Sequence, residues 1–152
     1  MSLLPRKGVL AITAVIDIAM HARSAPVAAK ALAERLGLPA RHLEPVLQAL
    51  VRSGILKGRR GPRGGYDLGR EQQLITADDI LRAAGTLEDD ETPMVGSALL
   101  TQVIAPALAQ AEQALSGALA LITVEELVRG AKVLPEAAAI SAPHPTTDTR
   151  PS

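Results

Sequence analysis

The chain has 152 residues, 47% of them hydrophobic, with 16 Lys/Arg against 16 Asp/Glu and no cysteine, tryptophan or phenylalanine. That length holds one modest domain of roughly 100–150 residues, or a small domain with an added helix. Lack of cysteine excludes disulfides, thiolate metal sites and thiol nucleophiles, and with Tyr66 as the sole aromatic residue the core must be built from Leu, Ile, Val and Ala, which favour helices.

The zero net charge hides a division. Residues 1–70 carry 12 Lys/Arg and 4 Asp/Glu, which is +8, and residues 71–152 carry 4 and 12, which is −8. Neutrality overall therefore does not exclude nucleic acid, because the field of the cationic half governs encounter with phosphate. No secretory signal is visible, and the longest apolar run, residues 9–22, is broken by Asp17 and is shorter than the ~20 residues that span a bilayer. A soluble, cytoplasmic protein without a membrane partner is expected.

From Gly8 to Ala22 nearly every residue is apolar except Thr13, Asp17 and His21, whose spacing of four makes one polar stripe on a helix. The remaining surface of that helix must be covered on two sides, one of them by a second subunit. Asp17 and His21, one turn apart, read as a helix-face pair rather than a pH-sensitive or ligand-binding element.

Pro26 opens a helix over residues 27–36 with Ala29, Leu32, Ala33 and Leu36 on one face, and Gly37 stops it. A four-residue turn, Gly37, Leu38, Pro39 and Ala40, leads to a helix running to about Ser53 with Leu43, Val46, Leu47 and Leu50 facing inward. Helix, short glycine-containing turn and helix make a helix-turn-helix. Residues 55–57 and 65–68 then form the strands of a hairpin whose tip is RRGPRG, with Gly61, Gly64 and Gly65 permitting positive φ and Pro62 stiffening the loop. Lys57, Arg59, Arg60 and Arg63 place four cations in seven residues, and Arg52 adds a fifth from the helix. Duplex DNA carries one phosphate charge per ~1.7 Å of axis, so a compact cationic loop beside an exposed helix suits it.

Thr76, with Asp79 in the following turn, starts a helix that ends near Gly85. The acidic run at residues 88–91 reads as a solvated loop rather than a cation site, because consecutive loop carboxylates rarely converge. From Ser97 the positions Leu100, Ile104, Leu108, Ala111, Leu115, Leu119 and Ile122 recur at the spacing of a helix lying along a partner helix. Pro106 predicts a kink there or a later start. Thr123 and Glu126 form a capping box for a helix through about Ala131, and the Pro/Ala/Thr-rich stretch from Pro135 reads as a disordered tail. The organisation expected is residues 1–86 as a DNA-binding domain, 87–134 as linker and dimerisation helix, and 135–152 as tail. No catalytic residue emerges: GxxxxGK[ST], HExxH and GxSxG are all missing, and Asp78 and Asp79 point to different helix faces.

Arg60, Gly61, Pro62, Gly64, Gly65 and Tyr66, following HLEPVLQALVRSGIL, resemble the winged-helix regulators typified by the iron-sulfur cluster regulator IscR and the nitric oxide sensor NsrR. The likeness covers roughly residues 3–134 and includes ITVEELV as the family's closing helix. It implies a homodimer joined through the long helix, binding a dyad-symmetric operator with its recognition helices in successive major grooves. It further implies that Glu44 reads bases and Arg60 enters the minor groove, roles that suit a cytosine N4 donor and a narrow, electronegative groove. At Pro45 the resembled regulator has a base-reading glutamine, so one contact is missing and the helix start is expected to be reshaped. Cluster-binding members carry three cysteines between the helix after the wing and the long helix, and this chain has none, so no cofactor is expected.

The reading is a mainly α fold, a winged helix-turn-helix with a long C-terminal dimerisation helix, acting as a homodimeric repressor on double-stranded DNA. Arg41, His42 and Glu44 belong to the major groove and Arg59, Arg60 and Arg63 to the wing, with Arg52 and Tyr66 completing the DNA-binding set. Two alternatives stand beside it. One is a regulator gated by a small-molecule effector held between the winged domain and the long helix; the other is a protein-interaction module that keeps the fold.

Overall fold

The computed structural model describes residues 4–85 and 97–134. The acidic run at 88–91 and the tail from Pro135 lie outside the described residues. The element order is α1 (Arg6–His21), α2 (Ala29–Leu36), α3 (Ala40–Arg52), β1 (Leu56–Arg59), β2 (Gly65–Leu68), a 3-10 turn (Gln72–Leu74), α4 (Ala77–Gly85), a π-helical segment (Leu100–Ile104), α5 (Ala105–Leu119) and α6 (Val124–Lys132). Helices thus dominate, with one two-stranded antiparallel sheet, as the composition leads one to expect.

The core is aliphatic throughout. α1 turns Ala11, Ala14, Val15 and Ile18 inward, against Leu32, Leu43, Leu47, Leu50, Ile75, Ile80 and Val124, all fully buried. Small residues suit close helix approach: a methyl group at Gly8 would meet the end of the Leu81 side chain, which would have to move aside. Full burial of each Leu or Ile contributes on the order of 1.5–3 kcal/mol, and the one aromatic side chain, Tyr66, packs only against the edge of this core.

Two element boundaries differ from the sequence reading for the same reason. α2 begins at Ala29 rather than Val27, because Val27 pairs in backbone with Tyr66, its N–H donating to the Tyr66 carbonyl at 2.9 Å and its carbonyl accepting from the Tyr66 N–H at 2.8 Å. Likewise β1 extends to Arg59, in register with Gly65, so the hairpin tip is shorter than RRGPRG. Gly37, at φ 67°, ends α2, and α3 starts at Ala40.

Pro45 does not reshape the start of α3, which runs unbroken through it. Proline there removes the donor that would bond Arg41's carbonyl one turn back. Pro45 is exposed, so water can satisfy that carbonyl, while Leu43, Val46 and Leu47 beside it hold the helix by burial.

Both expected N-caps form, but the reciprocal box lies at Thr76 and Asp79, and at Thr123 and Glu126 only one of its two bonds is made. The Thr76 hydroxyl accepts from the Asp79 N–H at 3.2 Å and the Asp79 carboxylate accepts from the Thr76 N–H at 3.1 Å, while the Thr123 hydroxyl accepts from the Glu126 N–H. The two caps are tied to each other, since Ala77 N–H donates to the Ile122 carbonyl and Val124 N–H to the Ile75 carbonyl. This fixes the starts of α4 and α6 side by side.

Pro106 neither breaks the long helix nor delays it. Helical backbone begins at residue 98, and the π segment ahead of Pro106 shifts to bonds five residues back, with the Ala105 N–H donating to the Leu100 carbonyl. A π turn is one of the usual ways a helix absorbs a missing donor. No residue of α5 is buried. Its link to the body is polar: Ser116 donates to Asp78 at 2.7 Å, Arg82 donates to Asp78 at 2.8 Å and to Ser116 at 2.7 Å.

Partial burial pushes the Asp78 carboxyl up, but the Ser116 and Arg82 hydrogen bonds outweigh it and leave the group below its ordinary value. A carboxyl lowered on folding stabilises the fold above its unfolded-state pKa, and that contribution is lost as pH falls through the lowered value. Asp78→Asn should therefore cost stability at neutral pH, and the cost should shrink as pH drops below the carboxylate range near 3.8. Urea denaturation of both proteins across that range checks it.

Candidate nucleic-acid interface

The amphipathic α3 divides cleanly. Leu43, Val46, Leu47, Ala49 and Leu50 are buried, and Arg41, His42, Glu44, Pro45, Gln48 and Arg52 are exposed on the opposite side. Burial of the first set leaves the helix no freedom to rotate, so the second set is held outward.

The wing follows directly. β1 and β2 pair with Leu56 opposite Leu68, Lys57 opposite Asp67, Gly58 opposite Tyr66 and Arg59 opposite Gly65. Arg60, Gly61, Pro62 and Arg63 form the exposed tip, closed by the Gly64 N–H donating to the Gly61 carbonyl at 2.8 Å. Of the three glycines of the loop that permit positive φ, only Gly61 adopts it, at 108°. Gly64 and Gly65 are required for space: a methyl group would strike the Arg59 carbonyl at the first and the Val27 carbonyl at the second.

Tyr66 sits differently from the other site residues. It is half-buried and packs against the core, and its backbone carries both bonds to Val27. With Gln48, Val51, Arg52 and Gly58 it also lines a cavity of about 350 Å³ between α3 and the wing. The structure thus brings Arg52 and Tyr66 together at the joint, Arg59, Arg60 and Arg63 on the wing, and Arg41, His42 and Glu44 at the start of α3.

The charges sort by role. Arg35, Arg82 and Arg129 are each paired with a carboxylate, to Asp17, Asp78 and Glu125 respectively. Among the described residues no carboxylate pairs with Arg41, Arg52, Arg59, Arg60 or Arg63 within ion-pair distance. An unneutralised cationic face next to a fixed, exposed helix is a surface suited to a polyanion.

Two residues that position this face, Arg35 and Arg70, escape sequence reasoning, as does Gln48 on the face itself. Arg35 grips Asp17 with its Nε and Nη2 at 2.7–3.1 Å, joining α1 to α2; the hydrogen bond to Asp17 raises the guanidinium pKa further. The lone acid in an otherwise apolar helix was the available signal. His21, also expected to face Asp17, holds its Nδ1 2.8 Å from the Asp17 backbone carbonyl and 3.5 Å from the carboxylate. Arg70 donates to the Ser53 carbonyl across the base of the wing, and Gln48, one turn beyond Glu44, shares its exposed side.

Comparison with known proteins agrees with this geometry. A family model described as Rrf2, iron-dependent transcriptional regulator, matches residues 4–130. The regulator IscR of Serratia proteamaculans is 34% identical over 137 residues, covering 86% of this chain and 82% of its own. Protein rrf2 of Nitratidesulfovibrio vulgaris is 30% identical over 139 residues, covering 87% and 91%. Among solved structures, T. potens IscR superposes with a TM-score of 0.68 at 27% identity, covering 89% of this chain and 93% of that one. CymR, the global cysteine regulator of B. subtilis, gives 0.67 at 28%, covering 86% and 98%. The residues present do not fit an iron-sulfur cluster: the sequence offers no thiolate anywhere, and among the described residues no three His, Asp or Glu side chains converge.

The joint gives a test of its own. Gly65→Ala should destabilise the protein by about 1–3 kcal/mol, the usual penalty for forcing atoms into filled space. Gly58→Ala, where nothing lies within reach of the added methyl, should change stability by less than about 0.5 kcal/mol. Denaturant titrations of the two variants read the difference.

Proposed function

The chain belongs to the Rrf2 family of transcriptional regulators, and from that premise we propose that it represses transcription as a homodimer bound to a dyad-symmetric operator. The observation that carries the reading is the unpaired cationic wing held beside the exposed side of α3. Residues 1–86 do the binding in this reading, and residues 87–134 join the protomers. Two recognition helices related by a dyad reach half-sites roughly 34–36 Å apart, one turn of duplex.

Within each half-site the residues divide by chemistry. Glu44 accepts from a cytosine N4 amino group, and Gln48 is able to read adenine from one turn further on. Arg41 and His42 flank the helix start, where phosphates approach. Arg60, at the stiffened tip, enters the minor groove, whose negative potential attracts arginine, while Arg59, Arg63 and Arg52 neutralise phosphates. Tyr66 acts by holding the wing in place. The protein works without an iron-sulfur cluster, since it has no thiolate to bind one.

The bare long helix supports the dimer. Leu99, Val103 and Leu108 are 60%, 59% and 63% exposed in the single chain, more apolar surface than a lone soluble helix tolerates.

Arg60→Ala should weaken operator affinity about tenfold at fixed salt, the equivalent of ~1.4 kcal/mol. Arg129→Ala, on α6 and paired with Glu125, should leave it unchanged. Fluorescence anisotropy titrations measure both. Equal losses would mean that only total charge matters, and an unaltered Arg60→Ala would remove the wing from the interface.

A further inference from the structure

Because no residue of α5 is buried, burial in its own protomer does not fix the slope of the long helix. Hydrogen bonds hold it at two places. The first is just past its C-terminal end, where the Ile122 carbonyl accepts from the Ala77 N–H and the Val124 N–H donates to the Ile75 carbonyl. The second is a closed triad. Ser116 donates to Asp78 Oδ1 and accepts from Arg82 Nη2, both at 2.7 Å, and Arg82 Nε donates to Asp78 Oδ2 at 2.8 Å.

Each member of the triad is committed to the other two. Both carboxylate oxygens accept, and the hydroxyl donates and accepts at once, which no aliphatic side chain at position 116 could do. Asp78 rides on α4, where Ile80 and Ala84 are fully buried, and its own side chain is 17% exposed, so the core sets its position. Arg82 lies one turn on. Asp78 foremost, with Glu112 and Asp79 adding weaker attraction, favours its charged form. Glu112 is the single charged residue between positions 98 and 119, one turn before Ser116, so the long helix directs its one charge and this hydroxyl at the same arginine.

A rod tied only at its end turns about that end, and a second tie along its length fixes its direction. Ser116 supplies that second tie six residues ahead of Ile122. Beyond it residues 98–115 continue for 18 residues, roughly 27 Å at 1.5 Å per residue. An angular slack of about 10° would move the far end by roughly 5 Å, more than the ~3.4 Å rise of one base pair. In the proposed dimer the protomers are joined through this helix, so such slack passes into the separation of the two α3 helices.

We propose that Asp78, Arg82 and Ser116 are positioning residues that set the distance between the two recognition surfaces of the dimer, and with it the half-site spacing the protein accepts. They touch no DNA and act through the direction of the long helix. The inference rests on the homodimer reading and adds which residues hold its geometry.

Ser116→Ala removes the hydroxyl without weakening the helix, since alanine is the better helix former, and Ser116→Thr restores the hydroxyl. The chain has no cysteine, so a nitroxide on Arg63→Cys at the wing tip gives one wing-to-wing distance per dimer, measured without DNA. The expected distribution is narrow in the parent and in Ser116→Thr, and broad in Ser116→Ala. Unlabelled proteins are titrated with the operator, with duplexes whose half-sites are moved one base pair closer or further apart, and with a single half-site. Ser116→Ala should lose about fivefold or more of its discrimination between correct and shifted spacing, with unchanged affinity for the single half-site. Arg82→Ala, at a side chain 70% exposed, repeats the test where Ser116→Ala disturbs dimerisation. Unchanged discrimination in both variants, whatever the width of the distribution, would overturn the role of the triad and leave the homodimer standing. A parent protein that shows no wing-to-wing distance, or that binds every spacing alike, would overturn the operator reading as well.

Discussion

Two backbone hydrogen bonds between Val27 and Tyr66, 2.8 and 2.9 Å long, decide where the cations of this protein stand. A hairpin of two four-residue strands is marginal alone. Joined to Val27 it becomes an extension of the helix-turn-helix, because Val27 leads directly into α2. The pairing needs Gly65, which lets the two backbones meet, and it sets the tyrosine ring against the core. From that joint the hairpin projects Arg60 and Arg63 at a fixed offset from Arg41, His42 and Glu44 on α3. Loss of the joint would leave Arg41, His42 and Glu44 on α3 but free Arg60 and Arg63 from their fixed offset to them.

Much of this was legible in the sequence because it depends on local rules. The inward face of α3 follows from the spacing of Leu43, Val46, Leu47 and Leu50, and the helix starts at Ala77 and Val124 from the threonines ahead of them. Glycines and cations in a short run marked the hairpin tip. Less legible was anything that depends on residues distant in the chain. The Arg35–Asp17 pair spans 18 residues and the Val27–Tyr66 pair spans 39, from 66 less 27, so neither leaves a periodic trace. The spatial role of Gly64 and Gly65 is hidden for a related reason: glycine in a loop suggests unusual φ, whereas here the demand is for room beside a backbone carbonyl, that of Arg59 at the first and of Val27 at the second. Pro45 and Pro106 each suggested disruption. Burial on one side of α3 and a π turn ahead of α5 absorbed them, and neither remedy is visible in the residue itself.

The separation of charge and of apolar surface along the chain has a common logic. The first 70 residues carry the excess of cations; Arg35 among them is paired with Asp17, while the arginines of α3 and the wing meet no carboxylate among the described residues. The later helix carries almost no charge and presents its aliphatic side chains to solvent. One half bears an unpaired cationic face, the other an exposed aliphatic helix. The relatives named as IscR share the frame, and this chain has no thiolate to offer a metal cluster.

The most direct test of the central claim is selection of bound duplexes from a random pool by the purified protein, followed by titration of the selected duplex over a range of salt. The account predicts a dyad-symmetric consensus with half-sites about one helical turn apart, and an affinity that falls steeply and log-linearly with salt as phosphate counterions are released. Recovery of no consensus, together with a flat salt dependence, would contradict it and turn the fold toward a protein partner instead.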